Sequence, residues 1–345
     1  EAVLEDGLAV DRRAVVGRWL PAGGDVIAMP EPRTFATLPW SRDGLRVARM
    51  VCDLLCPDGT PFEADPRGVL KRTLARASDL GYTPYVGGDV SHFYLRDDGQ
   101  PMDTSTAFAP GHDDALTAVL GESLVTLEEL GLAVDSTSHG EAPGQFRVNL
   151  QYTDALSMAD GLVTYRHTIR TIARRHGLQA TFMPKPFTDR AGSGLHLTLS
   201  LNEGGQNLFY DPRDPVGLSP VARSFVAGLL SHARETSLLT SPCVNSYKRL
   251  GSGPGAPSAA TWAGGPAGSG RSDLVRIPVL QTGHGASTRV EHRGADVACS
   301  PYLALAAVLE AGMAGLREHA SPPPRREGDQ GPPEGTPLLP ATLYE

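Results

Sequence analysis

The sequence predicts an α+β protein built on a largely antiparallel sheet. Strand-like segments come in groups with helices between them, without the strict alternation of a doubly wound fold. The chain of 345 residues holds 39 Gly and 29 Pro, a share that favours loops and turns over a helical bundle. Hydrophobic residues at 40% and charged residues at 20% supply a large core and too little charge for disorder. The length allows two or three domains, or one large enzyme domain. A net charge of −8 argues against a broad nucleic-acid surface. Neither GxGxxG nor GxxxxGK[ST] is found, so any nucleotide needs another cradle.

The elements follow from local pattern. Residues 1–61 are mixed and strand-like, broken at Gly23-Gly24 and Pro57-Asp58-Gly59. Asp65 at the N-cap and Pro66 at the first helical position open a helix carried by Val69, Leu70, Leu74, Ala77 and Leu80, and Gly81 ends it. The alternating, Tyr-, Val- and Phe-rich stretch 83–95 predicts a strand. Leu116, Val119, Leu120, Leu124, Leu127 and Leu130 keep helical spacing up to Gly131. Strands are expected at 132–138 and 145–151, then a helix from Ala155 to His176 stopped by Gly177. Strands at 178–184, 195–201 and 206–210 precede a helix at 219–234. Residues 251–270 hold ten Gly or Pro and predict a long mobile loop. Strands at 273–280 and 287–292 and a helix at 301–317 complete the core, and the Pro-rich tail 321–339 is expected to run extended over the surface.

Four cysteines, Cys52, Cys56, Cys243 and Cys299, are too few for a disulfide scaffold and lack the second pair of a zinc site. Reduced thiols, no apolar run of about 20 residues and no signal peptide point to the cytoplasm and away from a membrane. The chain begins at Glu1 and not Met, so a missing or processed N-terminus is expected.

Several segments carry chemistry. Thr181-Phe-Met-Pro-Lys-Pro-Phe187 is followed by Ala191-Gly-Ser-Gly-Leu-His196, whose glycines permit close backbone approach. Val244-Asn-Ser-Tyr-Lys-Arg-Leu250 sets two cations beside the glycine-rich stretch. Arg289, Glu291 and Arg293 alternate onto one strand face, where they need partners, water or ligand. Together with Pro57-Asp-Gly-Thr-Pro-Phe62, Arg276-Ile-Pro278 and Pro301-Tyr-Leu-Ala304, these motifs resemble, in order from about Gly7 to Leu339, the glutamine synthetase family of ATP-dependent carboxylate–amine ligases.

The resemblance implies a partial β-grasp N-terminal domain at 1–61 and a catalytic domain at 62–345 whose curved antiparallel sheet forms a funnel. The family measure makes the chain short at both ends. The resemblance also implies ring-forming homo-oligomers with active sites between neighbours, ATP entering one end of the funnel and a carboxylate the other. The metal at the phosphates falls to Asp89, His196 and Glu291, as Mg²⁺ or Mn²⁺. Arg271 and Asp11 take catalytic roles. Arg276, Ser200 and Arg249 fall on the nucleotide, and Gly192, Arg249 and Arg293 on the substrate. Thr198 replaces a nucleotide-end His.

The amine half departs from the family. Two of the three second-metal Glu positions read Ser91 and Arg147. The third falls on Gly140 without a gap, or on Glu141 with a one-residue deletion. At best one ligand of three remains, too few for a normal second site. The flap Glu is Gly255, and the Asp-Gly-Ser-Ser loop contributed by a neighbour reads Asp11-Arg-Arg-Ala14. Three functions stay open: a divergent ligase joining a carboxylate to an amine other than ammonia, a catalytically inactive relative with a binding or regulatory role, and an ATP-dependent activity that stops at an acyl phosphate or uses another acceptor. Small-molecule carboxylate and amine substrates are the partners implied.

Overall fold

A computed structural model describes residues 2–16, 24–42, 45–105, 107, 114–251, 255–264, 272–279, 285–327 and 331–345. The N-terminal stretch is strand-rich, as its composition predicts. It forms α1 (Ala2–Asp6), β1 (Leu8–Asp11), α2 (Arg12–Val16), β2 (Asp25–Pro30), β3 (Ala36–Arg42), β4 (Leu45–Arg49) and β5 (Cys52–Leu55). Strands β1, β2 and β5 pair antiparallel in that order, and β3 and β4 make a separate hairpin.

Helix α3 (Pro66–Asp79) begins as expected, the Asp65 carboxylate accepting from the amides of Arg67 and Gly68. There follow β6 (Thr83–Leu95), α4 (Asp114–Glu129), β7 (Val134–His139), β8 (Gln145–Asp154) and α5 (Ala155–Arg175). The Asp154 carboxylate caps α5. Next come β9 (Gln179–Thr181), β10 (Leu195–Glu203), β11 (Gln206–Asn207), α6 (Pro220–Ser231) and α7 (Ala233–Thr240). The chain then forms α8 (Val244–Arg249), β12 (Trp262–Gly264), β13 (Val275–Ile277), β14 (Val290–His292) and α9 (Pro301–Arg317).

The main sheet runs β12-β13-β14-β10-β6-β8-β7, with β9 on β6 and β11 on β10. It is antiparallel except for the β12–β13 pair. Alternation gives it two unlike faces. One is apolar, with Val86 and Val90 of β6, Leu195, Leu197, Leu199 and Leu201 of β10, and Phe146, Val148 and Leu150 of β8 all buried. Helices α5, α6 and α9 lie against the core on that side. The other face carries Tyr85 and Asp89, His196 and Ser200, Arg147, and Glu291.

Several expectations are corrected. The helix expected at 219–234 turns at His232 (φ −102°, ψ 20°) into α7, so that α6 and α7 both pack on α9. The strand expected at 178–184 stops at Thr181, because Pro184 and Pro186 lack amide donors. Those at 273–280 and 206–210 shrink to three and two residues. The expected loop at 251–270 contains β12, held parallel to β13; its residues 252–254 and 265–270 lie outside the described residues. The tail is extended but tied down. Trp262 Nε1 donates to Pro323 O (2.7 Å), the Ala260 amide to Pro337 O (2.8 Å), and the Arg326 guanidinium grips buried Asp273 at 2.8 Å through two nitrogens. Among the described residues no helix is long and apolar enough to cross a membrane.

One buried cation joins the N-terminal strands to the large sheet's helices. Arg67, 4% exposed, reaches Asp53 of β5 (2.5 Å) and forks onto Asp160 of α5 (3.0 Å twice), and Tyr302 of α9 donates to the same Asp160 (2.6 Å). Removing one member leaves buried charge without its partner. Arg67→Met is therefore expected to lower stability by about 3 kcal/mol in urea denaturation, with an intact secondary structure at low urea.

His92 sits wholly inside the apolar layer, its Nδ1 2.9 Å from the Tyr165 hydroxyl and its ring stacked on Phe182. Burial pushes its pKa down to about 3. The neutral form is the folded form, so its contribution is complete above the unfolded value near 6.5 and is lost as pH falls from there toward 3. Between pH 7.5 and 5.0 this one residue is expected to remove about 2 kcal/mol of stability. His92→Phe should flatten that acid limb in paired denaturation curves.

Candidate active site

The polar face of the sheet becomes a site because cross-strand register stacks its functional residues. His196 pairs with Asp89, Thr198 with Gly87 and Ser200 with Tyr85 across β10 and β6. On the other side of β10, Thr198 pairs with Glu291, which in turn pairs with Arg276. Ser91 pairs with Arg147 across β6 and β8. The strands thus carry three zones in sequence: Tyr85 and Ser200, then Asp89 with His196 and Glu291, then Ser91 with Arg147.

In the middle zone, His196 Nδ1 lies 3.3 Å from Asp89 Oδ2 and 3.2 Å from Glu291 Oε1. Glu291 is 6% exposed. Burial opposes its ionisation, but His196, Arg293 and Arg276 outweigh that and hold the carboxyl well below the usual carboxylate range. Asp89 is also held low, by His196 and by the more distant charge of Arg147, against the cost of its burial. Arg293 Nη1 donates to Glu291 Oε1 (2.6 Å) and Arg276 Nη1 to Glu291 Oε2 (3.0 Å). Asp89 Oδ1 is buried without a hydrogen-bond partner.

Two carboxylates and an imidazole nitrogen form a donor set that suits a hard divalent cation, and the orphaned Asp89 oxygen leaves one donor ready. As the side chains stand, however, Arg293 Nη1 lies against both Glu291 Oε1 (2.6 Å) and His196 Nδ1 (3.4 Å). No group of three His, Cys, Asp or Glu among the described residues is in a ligating arrangement. Glu291 would have to exchange a guanidinium for the ion.

Arg249 explains the Gly192-Ser-Gly motif. Its guanidinium is buried beneath that turn and donates to Gly294 O (3.1 Å) and Arg293 O (2.9 Å). Burial pushes its pKa down to about 10, which leaves it charged at neutral pH. A Cβ at Gly194 would stand 2.7 Å from Arg249 Nη2, and one at Gly192 2.5 Å from Pro184 O. Asn245 of α8 clamps the backbone of Lys185 from both sides, its Oδ1 accepting from Lys185 N (2.7 Å) and its Nδ2 donating to Lys185 O (3.1 Å). The conspicuous Asn-Ser-Tyr-Lys-Arg and Pro-Lys-Pro segments therefore build one wall together.

A cavity of about 920 Å³ opens over the middle and last zones. Asp89, His196, Glu291, Arg276, Arg293, Arg249 and Gly192 all line it, as do Arg147, Glu141 and Gly255. Ser200 does not. It is buried at the far end, where its Oγ donates to Asn202 Oδ1 (3.0 Å) and pairs with the Tyr152 hydroxyl. Tyr152 stacks on Tyr85 with centroids 5.7 Å apart, and Arg289 lies over its ring at 5.0 Å. Sequence reasoning missed both tyrosines. The signal was the period-two spacing of Tyr85 from Gly87 and Asp89, whose alternation put them on one face.

Asp11 is exposed on β1, where it caps the Arg13 amide (2.8 Å), and it does not line the cavity of its own chain. Arg271 lies outside the described residues. At the altered amine half, Ser91 is buried opposite Arg147. Gly140 is pressed against Gln145, whose Oε1 would sit 2.5 Å from a Cβ there. Gly255 offers only its carbonyl, which accepts from Arg293 Nη2 (3.3 Å).

An antiparallel sheet face with clustered carboxylates, imidazole and arginines agrees with the ATP-dependent ligases of the glutamine synthetase type. The chain belongs to the glutamine synthetase family: residues 63–345 match the glutamine synthetase catalytic domain. It is 43% identical over 326 residues to a glutamine synthetase of Mycolicibacterium smegmatis and 41% identical to one of Thermotoga maritima, in each case covering 92% of this chain and 72% of the relative. Solved structures of GmaS match with 32% identity. The ligand-free form has a TM-score of 0.86 and the ADP complex 0.85, covering 99% of this chain and 79% and 80% of theirs. The family uses ATP and a divalent metal.

The packing of Arg249 under the turn yields a test. Gly194→Ala should displace the guanidinium and His196 together, costing about 1–3 kcal/mol in thermal or chemical denaturation and most of any nucleotide-dependent activity. Ser193→Ala, which adds no bulk, should leave both near wild type.

Proposed function

We propose that the protein is a divergent ATP-dependent ligase that activates a carboxylate and joins it to an amine other than ammonia. The observation that carries this reading is the pairing of Ser91 with Arg147 in the third zone, where relatives of the resembled type place metal-binding Glu. A guanidinium repels a second cation, and Gly255 offers no flap acid. An amine that is bulkier than ammonia or already neutral needs neither.

In this reading a carboxylate oxygen of the donor attacks the γ-phosphorus of ATP, giving an acyl phosphate and ADP. The amine nitrogen then forms the C–N bond as the C–O bond to phosphate breaks, releasing inorganic phosphate and one proton. Asp89, His196 and Glu291 would hold one Mg²⁺ or Mn²⁺, which supplies positive charge to the phosphate oxygens when bound. Arg276 and Arg249 add fixed positive charge on the nucleotide side, with Ser200 at its far end. Gly192, Arg249 and Arg293 orient the donor carboxylate. Arg271 is assigned a catalytic role at the phosphoryl group, and Asp11 acts in the site of a neighbouring copy, consistent with its exposure on β1. We further propose that residues 1–61 are a partial β-grasp domain on a catalytic domain at 62–345, that copies assemble into a ring, and that the protein works in the cytoplasm, where its unpaired thiols stay reduced.

One observation favours the inactive alternative: both Glu291 oxygens already accept from guanidinium groups, which closes the middle zone without a metal. Calorimetry separates the two readings. The ligase binds ADP in the presence of Mg²⁺, loses about tenfold or more in affinity with Glu291→Ala or His196→Ala, and releases phosphate from ATP with a primary amine, glycine and methylamine both being offered, in preference to ammonium. An absence of nucleotide binding, or binding indifferent to Mg²⁺ and to both variants, sinks the ligase reading.

A further inference from the structure

The arginines of the cavity differ in what they already hold. Arg276 and Arg293 are paired with Glu291, and Arg249 donates to two backbone carbonyls. Arg147 has no such partner. Its Nε is buried with no hydrogen bond, and no ion pair reaches its guanidinium among the described residues. Arg190 of the same cavity is in a similar state. Its Nη1 is buried without a partner, and its guanidinium rests on the Phe187 ring at 4.7 Å. Both line the same 920 Å³ cavity. Among the acids on its wall, Asp89 feels the charge of Arg147 without forming an ion pair with it, and Glu141 and Asp189 are exposed to water and form no ion pair with either arginine.

Unpaired, desolvated guanidinium nitrogens are costly, and a planar carboxylate satisfies them through two parallel hydrogen bonds. The register gives the location. Counted along β6 and β8 from the Tyr85–Tyr152 cluster, Asp89 comes next and the Ser91–Arg147 pair comes last. Arg147 is thus on the side of Asp89 away from Ser200 and Tyr152, beside the Gly140–Glu141 turn.

We propose that Arg147, aided by Arg190, binds a carboxylate carried by the acceptor amine, so that the amine substrate is an amino acid or similar anionic amine and not a simple alkylamine. This rests on the ligase reading for its chemistry, though the binding can be read without turnover. A remote carboxylate on the donor substrate is the other source of the same chemistry. The acceptor is favoured because Arg147 pairs with Ser91 in the zone that the proposed function gives to the amine, although Gln145, two residues before it, donates to Gly192 O (2.8 Å).

The test is calorimetry on the full chain, with and without ADP and Mg²⁺, using glycine, β-alanine, methylamine, ethanolamine and L-glutamate as probes. Glycine or β-alanine is expected to bind at least about tenfold more tightly than methylamine or ethanolamine. Arg147→Met should erase that difference, Arg147→Lys should retain part of it, and the affinity for ADP should change less than about twofold. Equal binding of carboxylate-bearing and neutral amines, no detectable binding of glycine or β-alanine, or indifference to Arg147→Met would overturn the proposal. A loss confined to L-glutamate would overturn it in favour of the donor. Mg²⁺-dependent binding of ADP, weakened by Glu291→Ala, judges the ligase reading separately: it can succeed while the anionic-amine proposal fails, and calorimetry without nucleotide can support the proposal where nucleotide binding is absent.

Discussion

The charge balance around Glu291 is the constraint on which the site depends. This buried carboxylate is tolerated because three strands bring partners to it: His196 from β10, Arg276 from β13 and Arg293 just after β14. A buried acid with that much positive charge around it stays ionised, and an ionised acid is what a cation or a guanidinium requires. The same partners tie the short strands β13 and β14 to the long β10 and β6. Packing and chemistry at the centre of the sheet are therefore one arrangement.

Much of this was legible in the sequence, and the reasons differ by element. Helices α3, α5 and α9 were readable because their caps and spacing are local: Asp65 and Asp154 cap within three residues, and Gly81 and Gly177 follow the ends. Strand β6 was readable from alternation alone. The break between α6 and α7 was not, since it reflects how both pack on α9. Nor was β12, whose Trp262-Ala-Gly264 has too few residues to show a period and is a strand only because Val275–Ile277 and the C-terminal tail lie beside it.

The site divides along the same line. The resemblance brought together Asp89, His196, Glu291, Arg276, Arg293, Arg249 and Gly192, and the structure sets all of them on one cavity. It could not foresee that Arg293 closes the middle zone or that Ser200 lies outside the cavity under Tyr152, because both are outcomes of side-chain packing. The Gly192-Ser-Gly turn looked like a loop built to approach a ligand. In the structure its glycines are pressed by Pro184 O and by the chain's own Arg249, so they serve first to admit a tight turn and a buried cation that then faces the cavity.

In the proposed function, the cavity keeps one cation position, at Asp89, His196 and Glu291, and exchanges the other for Arg147. Electron paramagnetic resonance of Mn²⁺ titrated into the ADP-bound protein counts the sites directly. One bound Mn²⁺ per chain is expected, lost in Glu291→Gln, with a second appearing only when Ser91 and Arg147 are both changed to Glu beside Glu141. Two bound ions in the unaltered protein, or none that depends on Glu291, would contradict it.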